Sequence, residues 1–319
     1  MRSVARSLPV GLLLLGLAAA WALLSTPEAP QAGAAGAAYV LLAVGLVAGF
    51  LLGTHDPATP GLLVLAGALV VLMLAWPQPV SGEAMTAPLG YMNANAALVL
   101  CAAAGAVVAT SGRPMAWRGA AAGISLAAAV ACATQDAQAA ALAAVLLAGW
   151  SVTRHLGPTV LWAVVAAVLL LVPVLLTVAW AAGLLPRPRL LVSALSEERF
   201  DLWSEAWDLL LREPVTGIGP GRFSEESPTG ADPDLAWAHS YVLQTGAELG
   251  FVGLGLLALL VGWASFALGR QAVLLGILLL PASVDYVLHF GGVLLALSMV
   301  VGGALSAPRV ERQAPGAPP

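Results

Sequence analysis

A chain of 319 residues that is 60% hydrophobic and only 9% charged cannot cover itself with a water-facing surface, for which roughly a quarter of the residues are charged. The net charge of −4 is small and unevenly placed, so neither a soluble globular domain nor a nucleic-acid binder fits. All thirteen basic residues are arginines, which, with the abundant Ala, Gly and Leu, reads as compositional bias.

Apolar runs occupy 8–24, 33–53, 61–76, 94–111, 118–134, 137–153, 159–184 and 249–269, each near the ~20 residues that cross a bilayer. A further run, 271–306, is long enough for two spans with a turn between Pro281 and Gly292. The expected fold is therefore all-α, a polytopic membrane helical bundle of about ten transmembrane helices. The first run, preceded by Arg2 and Arg6, resembles a signal peptide and reads better as an uncleaved signal anchor. Residues 1–184 form an N-terminal bundle of about seven spans, 185–248 a large external loop and 249–307 the C-terminal helices. The proline-rich tail, 308–319, is expected to be disordered. Cys101 and Cys132 fall in separate apolar runs and read as small core residues.

Arginine placement orients the bundle. With both termini cytoplasmic, Arg2, Arg6, Arg113, Arg118, Arg154, Arg270, Arg309 and Arg312 all lie inside. The short outer loops carry Glu28, Glu83 and Asp136. Arg187, Arg189, Arg199, Arg212 and Arg222 sit in the large loop, whose translocation is largely indifferent to charge. The expected location is the cytoplasmic (inner) membrane, with the loop on its outer side.

The loop holds eleven of the seventeen acidic residues. Within it, 196–211 reads as an amphipathic helix: Ser196 at the N-cap, Glu197 and Glu198 in the first turn, and Arg199, Trp203, Ala206/Trp207 and Leu210 on one face. Pro214 ends it, Gly217, Gly219 and Gly221 make a tight loop, and Ser227 to Pro233 is turn-rich.

This topology collects polar groups at one membrane face: Tyr91, Asn93, Asn95, Gln135, Asp136, Arg199, Arg222, His239, Asp285, Tyr286 and His289. Such groups near membrane depth are costly unless paired or lining a wet cavity. His239, where the loop re-enters an apolar helix, is either a shielded proton acceptor or an interfacial anchor beside Trp237 and Tyr241. Arg199 is either a helix-surface charge paired with Glu198 or Asp201, or a fork for phosphate oxygens. The 217–221 loop follows a helix, so it is no nucleotide fingerprint, but its amides are suited to an anion nest.

The loop resembles the O-antigen ligase and O-antigen polymerase superfamily, which includes bacterial protein O-oligosaccharyltransferases. The likeness runs through Arg199-x3-Trp203-x2-Ala206, Pro214 and Gly217-x-Gly219-x-Gly221-x-Phe223. It continues through Ala238-His239-Ser240-x2-Leu243-Gln244-x3-Glu248-Leu249-Gly250-x2-Gly253. Upstream, Gly90-Tyr91-x-Asn93-Ala94-Asn95-Ala96 is similar to the family's Asn-rich stretch. The resemblance implies a membrane glycosyltransferase that moves a glycan from an undecaprenyl-diphosphate carrier to a hydroxyl of a polysaccharide, lipid or protein acceptor. It implies no nucleotide, cofactor or metal. It also implies Arg199 near the diphosphate and His239 near the acceptor hydroxyl, with Arg222, Gly219, Gly221, Ser240, Asn93 and Asn95 as substrate-binding candidates. Two positions depart from the family pattern: Ser240 stands where Asn is usual, and Thr134-Gln135-Asp136 stands where many members have Ser-Arg. A non-catalytic scaffold of envelope glycan assembly and a transporter or flippase are the competing readings. A transporter needs charges or broken helices at mid-membrane, where this sequence has almost none.

Overall fold

With no water in a bilayer core, each apolar run must satisfy its own backbone, and each does so as a helix. The computed structural model describes residues 2–74, 86–188, 195–232 and 235–306. Glu83, Arg189, Pro233, Arg309, Arg312 and the tail lie outside the described residues. The apolar runs become α1 (Arg2–Leu24), α2 (Ala32–His55), α3 (Thr59–Leu74), α4 (Met92–Ala109), α5 (Met115–Ala133), α6 (Gln138–Thr153) and α7 (Thr159–Ala181). The loop contributes α8 (Glu197–Arg212) and the single turn α9 (Phe223–Glu226), and the chain closes with α10 (Tyr241–Leu268), α11 (Ala272–Ser283) and α12 (Gly291–Ser306). No strand occurs among the described residues. The protein is an all-α membrane bundle, and among the described residues six helical stretches are long and apolar enough to cross a membrane, with 241–283 counted as one.

Lipid-facing and protein-facing sides separate without any polar stripe. Leu13, Val40, Leu62, Met73, Val130, Leu175 and Phe266 are exposed, as side chains against hydrocarbon are. The helices meet instead through small residues, as expected where lipid removes the hydrophobic drive for association. The central helix, α4, is buried almost throughout from Ala94 to Val108, and an added Cβ at Gly105 would lie 2.6 Å from the Gly61 carbonyl. Helices α2 and α12 come closest. A Cβ at Gly49 would lie 2.2 Å from the Met299 carbonyl, and one at Gly302 would lie 2.3 Å from the Leu46 carbonyl. Gly45 and Gly53 face the hydroxyls of Ser298 and Ser306 just as closely.

At the end remote from the loop, Arg154 donates to the Val107 carbonyl (3.1 Å) and the Ser111 hydroxyl (3.2 Å). Arg270 donates to the Arg154 carbonyl (2.9 Å), so the turn after α10 is fastened to the turn after α6.

The amphipathic helix α8 packs across the ends of α7 and α10. Its buried face is Phe200, Leu202, Trp203, Ala206, Leu209 and Leu210, broader than the stripe through Arg199 and Trp207 read from sequence. Trp180 of α7 stacks on Trp203 and meets the edge of Phe200, which sets where α8 docks. Ser196 holds the N-cap position without a side-chain cap bond; its hydroxyl serves the Glu198 carboxylate. Glu205 gathers the following turn by accepting from the Ser227 hydroxyl, the Thr229 amide (3.2 Å) and the Thr229 hydroxyl (2.6 Å).

Helix α10 starts eight residues earlier than its apolar run, and Gly250, with φ +66°, breaks it into two pieces. The groups freed at the break are re-paired: Phe251 N–H donates to the Pro214 carbonyl (2.7 Å) and the Trp21 indole to the Leu249 carbonyl (2.9 Å). A Cβ on residue 250 would fall 2.3 Å from the Val215 carbonyl, so only glycine allows this approach.

Candidate active site

The polar groups collected from sequence converge on Asp285, which lies in the turn between α11 and α12 and is 4% exposed. Its Oδ2 accepts from Asn93 Nδ2 (2.6 Å) and faces Arg199 Nη2 (3.4 Å). Its Oδ1 accepts from the Tyr286 amide (2.7 Å) and lies 3.5 Å from His239 Nδ1. The Tyr91 hydroxyl reaches both oxygens, at 3.0 and 2.9 Å. Burial pushes the Asp285 carboxyl up, but His239, Arg199 and the Tyr286 amide outweigh it and hold it below the usual range. Burial, reinforced by Asp285, pushes the Tyr91 phenol up, so it stays a donor.

Arg199 reaches in from the first turn of α8 and also donates to the Val284 carbonyl (3.2 Å). With five N–H donors, the guanidinium keeps some for a ligand. A cavity of about 50 Å³ opens on this side, with Arg199, Asn93, Asp285, Asp136 and Gln138 among its walls.

His239 sits in left-handed backbone (φ +46°) just before α10 and is 5% exposed. The Trp203 indole donates to its carbonyl (3.1 Å) and the Tyr286 ring meets it edge-on at 4.8 Å. Neither ring nitrogen makes a hydrogen bond among the described residues, and Nδ1 has the Asp285 carboxylate 3.5 Å away. A carboxylate facing Nδ1 favours the tautomer with hydrogen there, which leaves Nε2 as a base. Around it, Tyr286 stacks between Tyr91 (4.6 Å) and Trp237 (5.7 Å), and His289 lies 4.4 Å from Trp237. Burial pushes the His289 imidazole down to about 4, so it is neutral at physiological pH and packs as an aromatic ring.

The remaining sequence candidates stand apart from this hub. Asn95 donates to the carbonyls of Thr86 and Ala87, both at 3.1 Å, and so holds the chain entering α4. Ser240 is fully buried and caps α10 by accepting from the Leu243 amide (3.5 Å). Arg222 is half-buried beside the glycine loop and makes no ion pair among the described residues. The loop itself is clasped to α10: Ile218 and Gly219 amides donate to the Ala247 and Glu248 carbonyls, and the Gly221 amide to Glu248 Oε1 (2.9 Å). The side chain held by this loop is thus the protein's own Glu248. All three glycines have positive φ, and a Cβ at Gly217 would lie 2.3 Å from the Glu248 backbone.

A family model described as O-antigen ligase matches residues 120–258. This segment is an O-antigen ligase-type domain. It runs from α5 into α10, a little under half of the chain, and contains Arg199, the glycine loop and His239. The match supports a likeness of this segment to the O-antigen ligase and polymerase superfamily, whose members are glycosyltransferase-like enzymes of glycan assembly. No curated protein and no solved structure matches the chain. Tyr91, Asn93 and Asp285, which share the polar cluster with Arg199 and His239, all lie outside the matched residues. The sequence alone gives Asp285 no role beyond membership of the polar cluster. A single carboxylate at the midpoint of the apolar run 271–306 is the signal that could have found it.

Proposed function

We propose that the protein transfers a glycan from an undecaprenyl-diphosphate carrier to an acceptor hydroxyl on the outer side of the cytoplasmic membrane. The observation that carries this reading is the shared carboxylate: Asp285 faces His239 Nδ1 with one oxygen and Arg199 with the other, while His239 Nε2 has no partner among the described residues. In the reaction the acceptor oxygen forms a bond to the anomeric carbon of the donor sugar, and the bond from that carbon to the diphosphate breaks. The hydroxyl proton passes to His239 Nε2. Undecaprenyl diphosphate departs as an anion, its new charge met by Arg199. Asp285 holds the imidazole in the required tautomer and offsets the imidazolium that forms.

Arg199, with Asn93 beside it, lines the cavity suited to the diphosphate. An apolar cavity of about 90 Å³, with Tyr39, Tyr241, Leu260 and Trp263 among its walls, adjoins the site through Tyr241 and offers hydrocarbon surroundings for the carrier's tail. Thr134-Gln135-Asp136, where the resemblance implies a Ser-Arg pair, holds no arginine, which leaves Arg199 as the arginine lining the cavity among the described residues. The test is transfer from the undecaprenyl-diphosphate glycan pool of the native host in its own membranes. A positioned base contributes roughly 10²–10⁴-fold, so His239→Ala is expected to lose about that much at equal membrane level. Transfer at the native rate would reduce His239 to an interfacial residue and return the scaffold reading.

A further inference from the structure

Glu248 and Gln244 take no part in the chemistry above, yet both are buried, on the outer piece of α10. Their bonds run without a gap from the glycine loop to the backbone beside His239. The Gly221 amide donates to Glu248 Oε1 at 2.9 Å, and the Phe223 amide also donates to this carboxylate. The same Oε1 accepts from Gln244 Nε2 (2.8 Å), and Gln244 Oε1 accepts the amide of Ala238 (2.6 Å).

The next residue is His239, whose left-handed backbone is strained for a side chain with a Cβ. Such a conformation persists only where its surroundings over-determine it. Here the Gln244 bond fixes the Trp237–Ala238 peptide, one residue ahead of His239, the Trp203 indole fixes the His239 carbonyl, and Ser240 caps the helix that follows. We propose that Gln244 is a positioning residue for His239, with its direction set by Glu248. Glu248 Oε1, which already takes the Gly221 N–H, stands as an acceptor. Glu248 therefore obliges Gln244 to turn its NH2 toward α10 and its carbonyl oxygen toward Ala238. A flipped amide would set NH2 against the Ala238 N–H, donor against donor. The glycine nest fixes Glu248 in turn, so loop, glutamate, glutamine and histidine form one relay.

This inference rests on His239 acting as the base, and the experiment separates the two. Turnover of the labelled undecaprenyl-diphosphate glycan of the native host is followed in its own membranes. The variants are His239→Ala, Gln244→Met, Glu248→Met, Glu248→Gln and both methionine changes in the His239→Ala background. Misplacement by about 1 Å costs on the order of 10²-fold in rate. Gln244→Met, close in length but without polar atoms, is expected to lose about that factor in kcat with KM for the donor unchanged. Glu248→Met reports from the other end of the relay should Gln244→Met not accumulate. Glu248→Gln, which still offers an oxygen to Gly221 and Gln244, is expected to be milder than Glu248→Met. In the His239→Ala background neither methionine change should slow the enzyme further, because the residue they position is gone. Losses that multiply with that of His239→Ala, or a native rate in both methionine variants, overturn the relay alone. A native rate in His239→Ala overturns the proposed mechanism and the relay with it.

Discussion

Asparagine at position 285 removes one charge and almost no volume, so its effects can be read from the bonds around that carboxylate. Oδ1 serves Tyr286 N–H and faces His239; Oδ2 serves Asn93 and Arg199; the Tyr91 hydroxyl touches both. Asparagine keeps one acceptor and turns the other into a donor. With its NH2 in place of Oδ2, it meets Asn93 and Arg199 donor to donor. With its NH2 in place of Oδ1, it donates to His239 Nδ1 and forces the ring hydrogen onto Nε2, where a base is needed. Breaking a buried pair by removing one partner costs about 3–5 kcal/mol. The Arg199 side chain is 20% exposed, which puts the expected loss at the lower end, about 3 kcal/mol. In a Ser-His-Asp triad the equivalent change costs about 10⁴-fold in rate. The 3.5 Å contact here is looser, and the expected loss is roughly 10²–10³-fold. The acid response changes as well. A carboxylate held below its ordinary value contributes stability that is present above that value, 3.8, and is lost as pH falls through the lower folded one. The asparagine variant should lack that acid-labile part. Transfer by membranes matched for protein level, with melting followed in detergent against pH, measures both. Near-native transfer by Asp285→Asn would refute the shared-carboxylate mechanism.

Arg199→Lys should be clearly impaired in donor turnover, since a point charge cannot bond Val284, Asp285 and phosphate oxygens in one plane; full activity would make Arg199 a helix-surface charge. Reporter fusions at Ser227 should score as external and those at Arg154 as cytoplasmic; the reverse result would place the site on the wrong side of the membrane for this reaction. His289, held near 4, binds protons in the unfolded chain before the folded one, so its contribution is complete above about 6.5 and is lost as pH falls toward about 4. His289→Phe should flatten the melting curve across that window and slow transfer less than His239→Ala; an unchanged pH profile would sink the assignment.

The helical class was open to reading because hydrophobic runs of span length have few other uses. Arg199, His239 and the glycine loop were legible as candidates for a different reason, since their order and spacing are local. Asp285, the centre of the site, was legible only as a member of a polar cluster. Its partners lie up to 194 residues away in sequence, and no local pattern encodes that distance. Ser240 and Asn95 look like ligand-binding residues in a string of letters, but their hydrogen bonds close on the protein's own backbone. The start of α10 was misjudged for a physical reason too: residues 241–249 are helical but polar in part, so hydropathy stops at the apolar piece.

The glycine contacts between α2 and α12 have a bearing on how a mutational map of this protein would look. Helix α12 begins directly after Phe290, so whatever moves that helix moves the turn holding Asp285. An added methyl at Gly49 or Gly302 meets backbone, which cannot rotate out of the way. Gly53 packs against Ser306 at the far end of α12 from that turn. Alanine there should thus score as an inactivating change, though the residue is remote from any reacting atom. A screen for lost activity should return two classes of hit: the polar cluster itself, and a ladder of glycines and serines descending through the bilayer beneath it.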